Sequence, residues 1–183
     1  MRIPTLTAAL FFVLAAPAQA TPRESFEARV IGVADGDTIT VQVSKTPPYR
    51  IRLAGIDAPE KGQAFSDRSK QNLSRLVYDQ TVRIEWSKSD KYGRIVGKVF
   101  VIPMGPCAAP PCPATVDVNL AQIAAGFAWR YTQYEKEQSK QDRRTYGAAE
   151  QLAREQRLGL WKDPRPVAPW NWRHRPSPHR PSP

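Results

Sequence analysis

The chain has 183 residues and carries 27 lysines and arginines against 17 aspartates and glutamates, a formal net charge of +10 at pH 7. That length allows one domain with a real core and leaves no room for a second. The basic balance points to a polyanion (nucleic acid, an anionic membrane surface or an acidic polymer), and charge alone does not choose among them.

The opening stretch, "MRIPTLTAALFFVLAAPAQA", joins a basic start at Arg2 to an apolar core and a small-residue end at Ala18-Gln19-Ala20. This is the outline of a secretory signal peptide over residues 1–20. Its apolar run falls short of the ~20 residues that a spanning helix needs. Residues 21–162 are then the expected folded domain and residues 163–183 a tail.

Residues 26–34 and 37–44 read as a hairpin around Asp35-Gly36, since Asp-Gly between apolar runs is a strong turn signal. In its second strand Ile39, Val41 and Val43 alternate with Thr38, Thr40 and Gln42, the period-2 mark of a half-buried strand. Asp37 shares parity with the apolar set, so it faces inward, where a carboxylate is costly unless a cation answers it. After Pro47-Pro48, residues 49–56 read as a third strand. Residues 63–78 read as a helix with Phe65, Leu73, Leu76 and Val77 on one side.

Residues 81–86 and 94–102 are strands again, joined by "SKSDKYG". The proline-rich insertion 103–115 holds Cys107 and Cys112. In an oxidising compartment these read as one local disulfide, because no histidine or further cysteine stands near in sequence to complete a metal site. Residues 116–126 read as a short helix with Leu120, Ile123 and Ala124 inward and Gly126 as its stop. Residues 135–158 read as a longer charged helix packing through Tyr146, Ala149 and Leu152. In the tail, "PRPVAPWNWR" is read as lying on the domain through Trp170 and Trp172, and "HRPSPHRPSP", with nothing apolar to bury, as disordered. Three strands, a helix and two strands is the order of the OB-fold, a five-stranded barrel whose face commonly binds oligonucleotides. The fold class is therefore α+β, a barrel with helices.

Four segments carry charge that single explanations leave unconnected: Asp35-Gly36-Asp37-Thr38, "RLAGIDAPE" from Arg52 to Glu60, "DKYGR" from Asp90 to Arg94, and the stretch with Tyr131 and Tyr134. On one side of a barrel they would gather Asp37, Asp57 and Glu60 with Arg52 and Arg94. Carboxylates, a carbonyl and water suit calcium, and an arginine fork binds phosphate oxygens in pairs. Arg52 and Asp57 have opposite parity on an ideal strand, so Gly55 must permit a twist or bulge.

With "DGDT", "R-x4-D-x-P-E" and "DKYGR" in order, the chain resembles the staphylococcal nuclease family over roughly residues 28–161. "GLW-x-DP" and the Pro-Trp tail resemble its exported bacterial members. The resemblance implies an OB-fold with three helices and a calcium-dependent endonuclease of DNA and RNA that leaves 3′-phosphate ends. It implies one calcium ion held by Asp37, Asp57 and the carbonyl of Ala58. Glu60 would hold or deprotonate the attacking water, while Arg52 and Arg94 grip the scissile phosphate. Asp35 and Thr38 would shape the loop behind them. Lys91, Tyr92, Tyr131 and Tyr134 would contact nucleotides, although packing in the core explains the last two tyrosines equally well. Ala58 stands where the founding member has threonine, so any hydroxyl contribution there is lost.

The expected protein is a monomer, exported to the periplasm or the medium, with no membrane insertion once the leader is removed. The rival reading is a noncatalytic OB-fold module that binds nucleic acid at the cell envelope. The full set of three carboxylates and two arginines argues against it.

Overall fold

The structure, a computed structural model, describes residues 24–103 and 112–175. The leader, Cys107 and the last eight residues, expected to be disordered, lie outside the described residues.

Five strands close into a barrel: β1 (Glu24–Val33), β2 (Thr38–Gln42), β3 (Tyr49–Leu53), β5 (Thr81–Ser89) and β6 (Ile95–Val101). The order β3-β2-β1-β5-β6 is antiparallel throughout, and a parallel pairing of β3 with β6 shuts the ring. Closure removes the unpaired edges that an open sheet would expose. The expected alternation holds: Ile39 and Val41 are fully buried, as are Val30, Ile51, Ile84 and Val99 from the facing strands. Two short pieces, β4 (Ile56–Asp57) and β8 (Trp129–Arg130), form a separate antiparallel pair.

Helix α1 (Ser66–Val77) buries Leu73 and Val77 against the barrel. It starts three residues later than the pattern predicts, because Phe65 takes a left-handed backbone (φ 68°) just ahead of it. Phe65 turns away to join a second apolar cluster with Trp129, Ala153, Leu160, Trp161 and Ala168. The region predicted as one helix over 116–126 divides into β7 (Val116–Asp117) and α2 (Val118–Ala124), with the Asp117 side chain accepting from the Leu120 N–H as the cap. Ile123 is buried and Leu120 half-buried, but Ala124 is exposed, and Gln122 takes the inward place expected of it.

The long charged helix also divides. A 3-10 turn over Thr132–Glu137 precedes α3 (Lys140–Glu155), which starts where the Ser139 side chain caps the Asp142 N–H. Tyr146 is buried and Ala149 packs on the core, but Leu152 is 53% exposed. Six residues carry it about 120° around the helix from Tyr146, whereas Ala153, seven residues on, returns to the buried face. A further short helix, α4 (Pro169–Arg173), was not expected. It lies on the domain as the tail reading anticipated, with Ala168 and Pro169 buried, Trp170 packed on the second cluster and Trp172 half-buried. Among the described residues no helix is long and apolar enough to cross a membrane.

Candidate active site

The loop from β1 to β2 is not the two-residue left-handed turn that Asp35-Gly36 suggests, because neither residue has positive φ. It is a wider loop closed by the Ala34 N–H on the Thr38 carbonyl at 2.9 Å. Inside it the Asp37 N–H donates to Asp35 Oδ1 at 3.1 Å, an Asx turn that sets the loop's shape. Gly36 serves close approach: a Cβ there would stand 1.9 Å from Ser69 Oγ. Its carbonyl accepts from the buried Gln122 side chain at 2.7 Å.

Asp37 points inward as its parity requires and is 6% exposed. Thr38 Oγ1 donates to its Oδ1 at 3.1 Å and the Ala58 N–H to its Oδ2 at 2.7 Å. Thr38 pairs with Arg52 across the β2–β3 ladder, which brings that guanidinium alongside. The parity conflict between Arg52 and Asp57 is resolved at Gly55, whose backbone is left-handed (φ 74°). The strand ends at Leu53, turns, and resumes as β4, aiming Asp57 back at Arg52. Arg52 meets Asp57 Oδ1 at 2.7 Å and Asp37 Oδ2 at 3.1 Å, and donates to the carbonyls of Leu53 and Ile56.

Both aspartates are pushed toward the neutral form. Burial raises Asp37 to about 7, with Arg52 opposing and Asp35 and Asp57 adding to the rise. Burial also raises Asp57, against the hydrogen bond from Arg173 and the charge of Arg52. Two buried carboxylates side by side, with oxygen the only ligand type offered, are of a kind that fits a hard cation. Among the described residues no three His, Cys, Asp or Glu side chains are grouped to hold a metal ion. The set offered there is the two carboxylates, with water to complete a shell.

These groups line one wall of a cavity of about 760 Å³. Asp35, Asp37, Arg52, Asp57, Glu60, Lys91, Tyr92, Arg94, Tyr131 and Tyr134, all singled out from the sequence, line it together. Thr38 and Ala58 are buried behind it. Arg94 stands on the wall formed by the β5–β6 turn, paired with Asp90 at 2.7 Å and 5.4 Å from the Tyr92 ring. Tyr131 and Tyr134 belong to neither apolar cluster. They pack on each other at 4.9 Å, and Tyr131 stacks at 13° on Trp170. The pairing of Asp57 with Trp129, and the Tyr131 N–H on the Gly55 carbonyl, hold this aromatic shelf beside the carboxylates.

Three residues important to this geometry were not singled out from the sequence. Asn119 is fully buried; its amide donates to the carbonyls of Ala54 and Gly97, and its oxygen accepts from the Val99 N–H. It thereby fixes the turn that redirects Asp57. Gln122 ties the Asp35–Asp37 loop to α1 through Gly36 and Ser69. Arg173, on α4, reaches Asp57 Oδ2 at 2.8 Å and also pairs with Glu60. A buried amide in a short helix and an arginine in a proline-rich tail give no local signal.

A closed barrel with carboxylates and arginines around one open, aromatic-walled cavity defines a class of nucleic-acid hydrolase. The staphylococcal nuclease homologue family model matches residues 50–163. The chain is 38% identical over 169 residues to a micrococcal nuclease of Shigella flexneri, covering 92% of this chain and 90% of that one. It is 42% identical over 161 residues to the protein ParB of Escherichia coli, covering 88% and 84%. It is 40% identical over 147 residues to an uncharacterized endonuclease of the same species, covering 80% and 84%. The chain belongs to the staphylococcal nuclease family and is a hydrolytic nuclease acting on nucleic acid.

Proposed function

We propose that the protein is an exported, monomeric, calcium-dependent endonuclease that cleaves DNA and RNA and leaves 3′-phosphate ends. The observation that carries this reading is the convergence of Asp37, Arg52, Asp57, Glu60 and Arg94 on one cavity. A calcium ion held by Asp37, Asp57 and the Ala58 carbonyl would supply positive charge where the phosphate gains negative charge. Arg52, rigid on its four acceptors, would present its guanidinium edge to a phosphate oxygen. Arg94 would leave Asp90 to do the same from the opposite wall. Glu60 is 39% exposed at the cavity wall, where it can orient or deprotonate a water in line with the 5′-oxygen. Tyr131, Tyr134 and Tyr92, with Lys91, would take up flanking nucleotides by stacking and charge. The Cys107–Cys112 disulfide, suited to an oxidising compartment, stays part of this proposal.

The test is the protein incubated with single-stranded and plasmid DNA in calcium or in chelator. Cleavage is expected only with calcium. Glu60→Gln should lower turnover about 100-fold or more, and Arg94→Ala about 100- to 1000-fold. Retarded but uncut DNA under every metal tried would leave only binding.

A further inference from the structure

The C-terminal helix brings a third guanidinium to the carboxylates. Arg173 Nη2 lies 2.8 Å from Asp57 Oδ2, and Nη1 lies 3.3 Å from Oδ1 while also pairing with Glu60. The Asp57 side chain is 1% exposed, and with Arg52 on Oδ1 both of its oxygens have a guanidinium partner. Asp57 Oδ2 gives one of its lone-pair sites to Arg173, and the positive charge there opposes a cation at the other. The Glu60 oxygen that pairs with the same guanidinium is a weaker acceptor for a water. A guanidinium and a divalent cation on these carboxylates therefore oppose each other.

The base of α4 is anchored by packing, whereas the tip of Arg173 is held by polar contacts to Asp57, Glu60 and the Tyr131 hydroxyl. Ala168 and Pro169 are buried, and Trp170 stacks on Tyr131. Gln63 donates to the Val167 carbonyl at 2.6 Å and accepts from the Glu60 N–H at 3.0 Å, tying the tail to the loop that carries Glu60. The Arg173 side chain is 36% exposed at the end of this anchor, so it can rotate into water without moving the helix.

We propose that Arg173 is a built-in occupant of the catalytic centre, a latch that competes with the divalent cation for Asp57 and Glu60. The proposal rests on the calcium-dependent reading above. Metal binds more tightly to the molecules in which the guanidinium has swung out, and the apparent affinity falls at most by their fraction. A nucleic-acid substrate favours release, because its phosphates offer the guanidinium another bidentate acceptor.

Calcium titration by calorimetry, without nucleic acid, tests this on the purified protein, Arg173→Ala and Arg175→Ala. Arg175 lies over the Trp172 ring at 4.9 Å, so its variant controls for removal of one positive charge from the same tail. Arg173→Ala should bind calcium more tightly, by up to about tenfold if the latch is closed about nine-tenths of the time. Arg175→Ala should stay close to the parent protein. Equal affinity in all three proteins overturns the latch, as does an equal gain in both variants, which marks a general field effect. Unchanged calcium affinity with a raised KM for DNA in Arg173→Ala would make the residue a substrate contact and overturn the latch as well. Failure of all three proteins to bind calcium overturns the metal reading, and the latch with it.

Discussion

A Cβ built on Gly36 would lie 1.9 Å from Ser69 Oγ and 2.7 Å from the Ala58 Cβ. Ser69 cannot simply turn aside, because its hydroxyl donates to the Phe127 carbonyl at 2.6 Å. The Ala58 N–H is likewise committed to Asp37. Gly36→Ala should therefore push the Asp37 loop away from the Ala58 segment, costing about 1–3 kcal/mol, as overpacking of tight interiors does. Urea unfolding measures the cost, and nuclease activity should fall further than stability alone explains. An unchanged urea midpoint would mean that the loop yields freely and that the close approach has no consequence. The dipeptide was legible as a chain reversal but not as a close approach. A turn signal is local, whereas the atoms that demand glycine lie about 20 and 30 residues downstream. Asp37 was legible for the converse reason: strand parity is local, and a carboxylate among buried valines and isoleucines asks for a cation wherever the chain supplies it.

The elements around the barrel are joined by one charged junction. Lys98 of β6 reaches Asp117, the cap of α2, at 3.0 Å and Asp142, in the first turn of α3, at 2.7 Å. Tyr146 of α3 donates to both oxygens of Asp117. Burial pulls the Lys98 amine down, but its bonds to Asp142 and Asp117 outweigh that, and its pKa stands above 10.5. A group raised on folding stabilises the native state fully below its unfolded pKa and loses that contribution as pH rises through the folded value. Lys98→Met, which keeps the apolar stem, should be about 1–2 kcal/mol less stable than the parent at neutral pH. The gap should close as pH climbs beyond 10.5. Urea midpoints along an alkaline series follow it, and a gap that persists undiminished would remove Lys98 from the linkage. The strands were readable from alternation because closing the barrel buries one face of each. The phase of α3 was not, because its buried side is chosen by this junction and by the paired Trp129 and Trp161 rings, 4.4 Å apart, and not by its most apolar residue. Leu152 was the natural choice on hydrophobicity, and Ala153 is what fits.

At the scale of the whole molecule, the segment that matches the family model, residues 50–163, leaves out parts of the packed domain. It begins after β1 and β2, yet β1 sits between β2 and β5, and the two strands supply the fully buried Val30, Ile39 and Val41, with Asp37 on the loop that joins them. It stops short of Ala168 and Trp170, which pack on the cluster that holds Trp129 and Trp161. The barrel closes only if β3 pairs with β2 on one side and with β6 on the other. A chain trimmed to 50–163 loses the first of those pairings, leaving β3 and β5 with unpaired edges and part of the core exposed. A chain of residues 24–175 should melt cooperatively near the parent temperature, one of 50–163 should show no cooperative transition, and one of 24–162 should lie between them. The intermediate chain should also show red-shifted tryptophan emission, because Trp129 and Trp161 lose their cover. Circular dichroism melts of the three chains, set beside their emission maxima, decide the matter. A cooperative melt of 50–163 would mean that the later strands and helices fold without β1 and β2. Parent-like stability and emission in 24–162 would mean that the tail is only draped on the domain. In that case the anchored base that α4 gives to Arg173 would have no energetic basis.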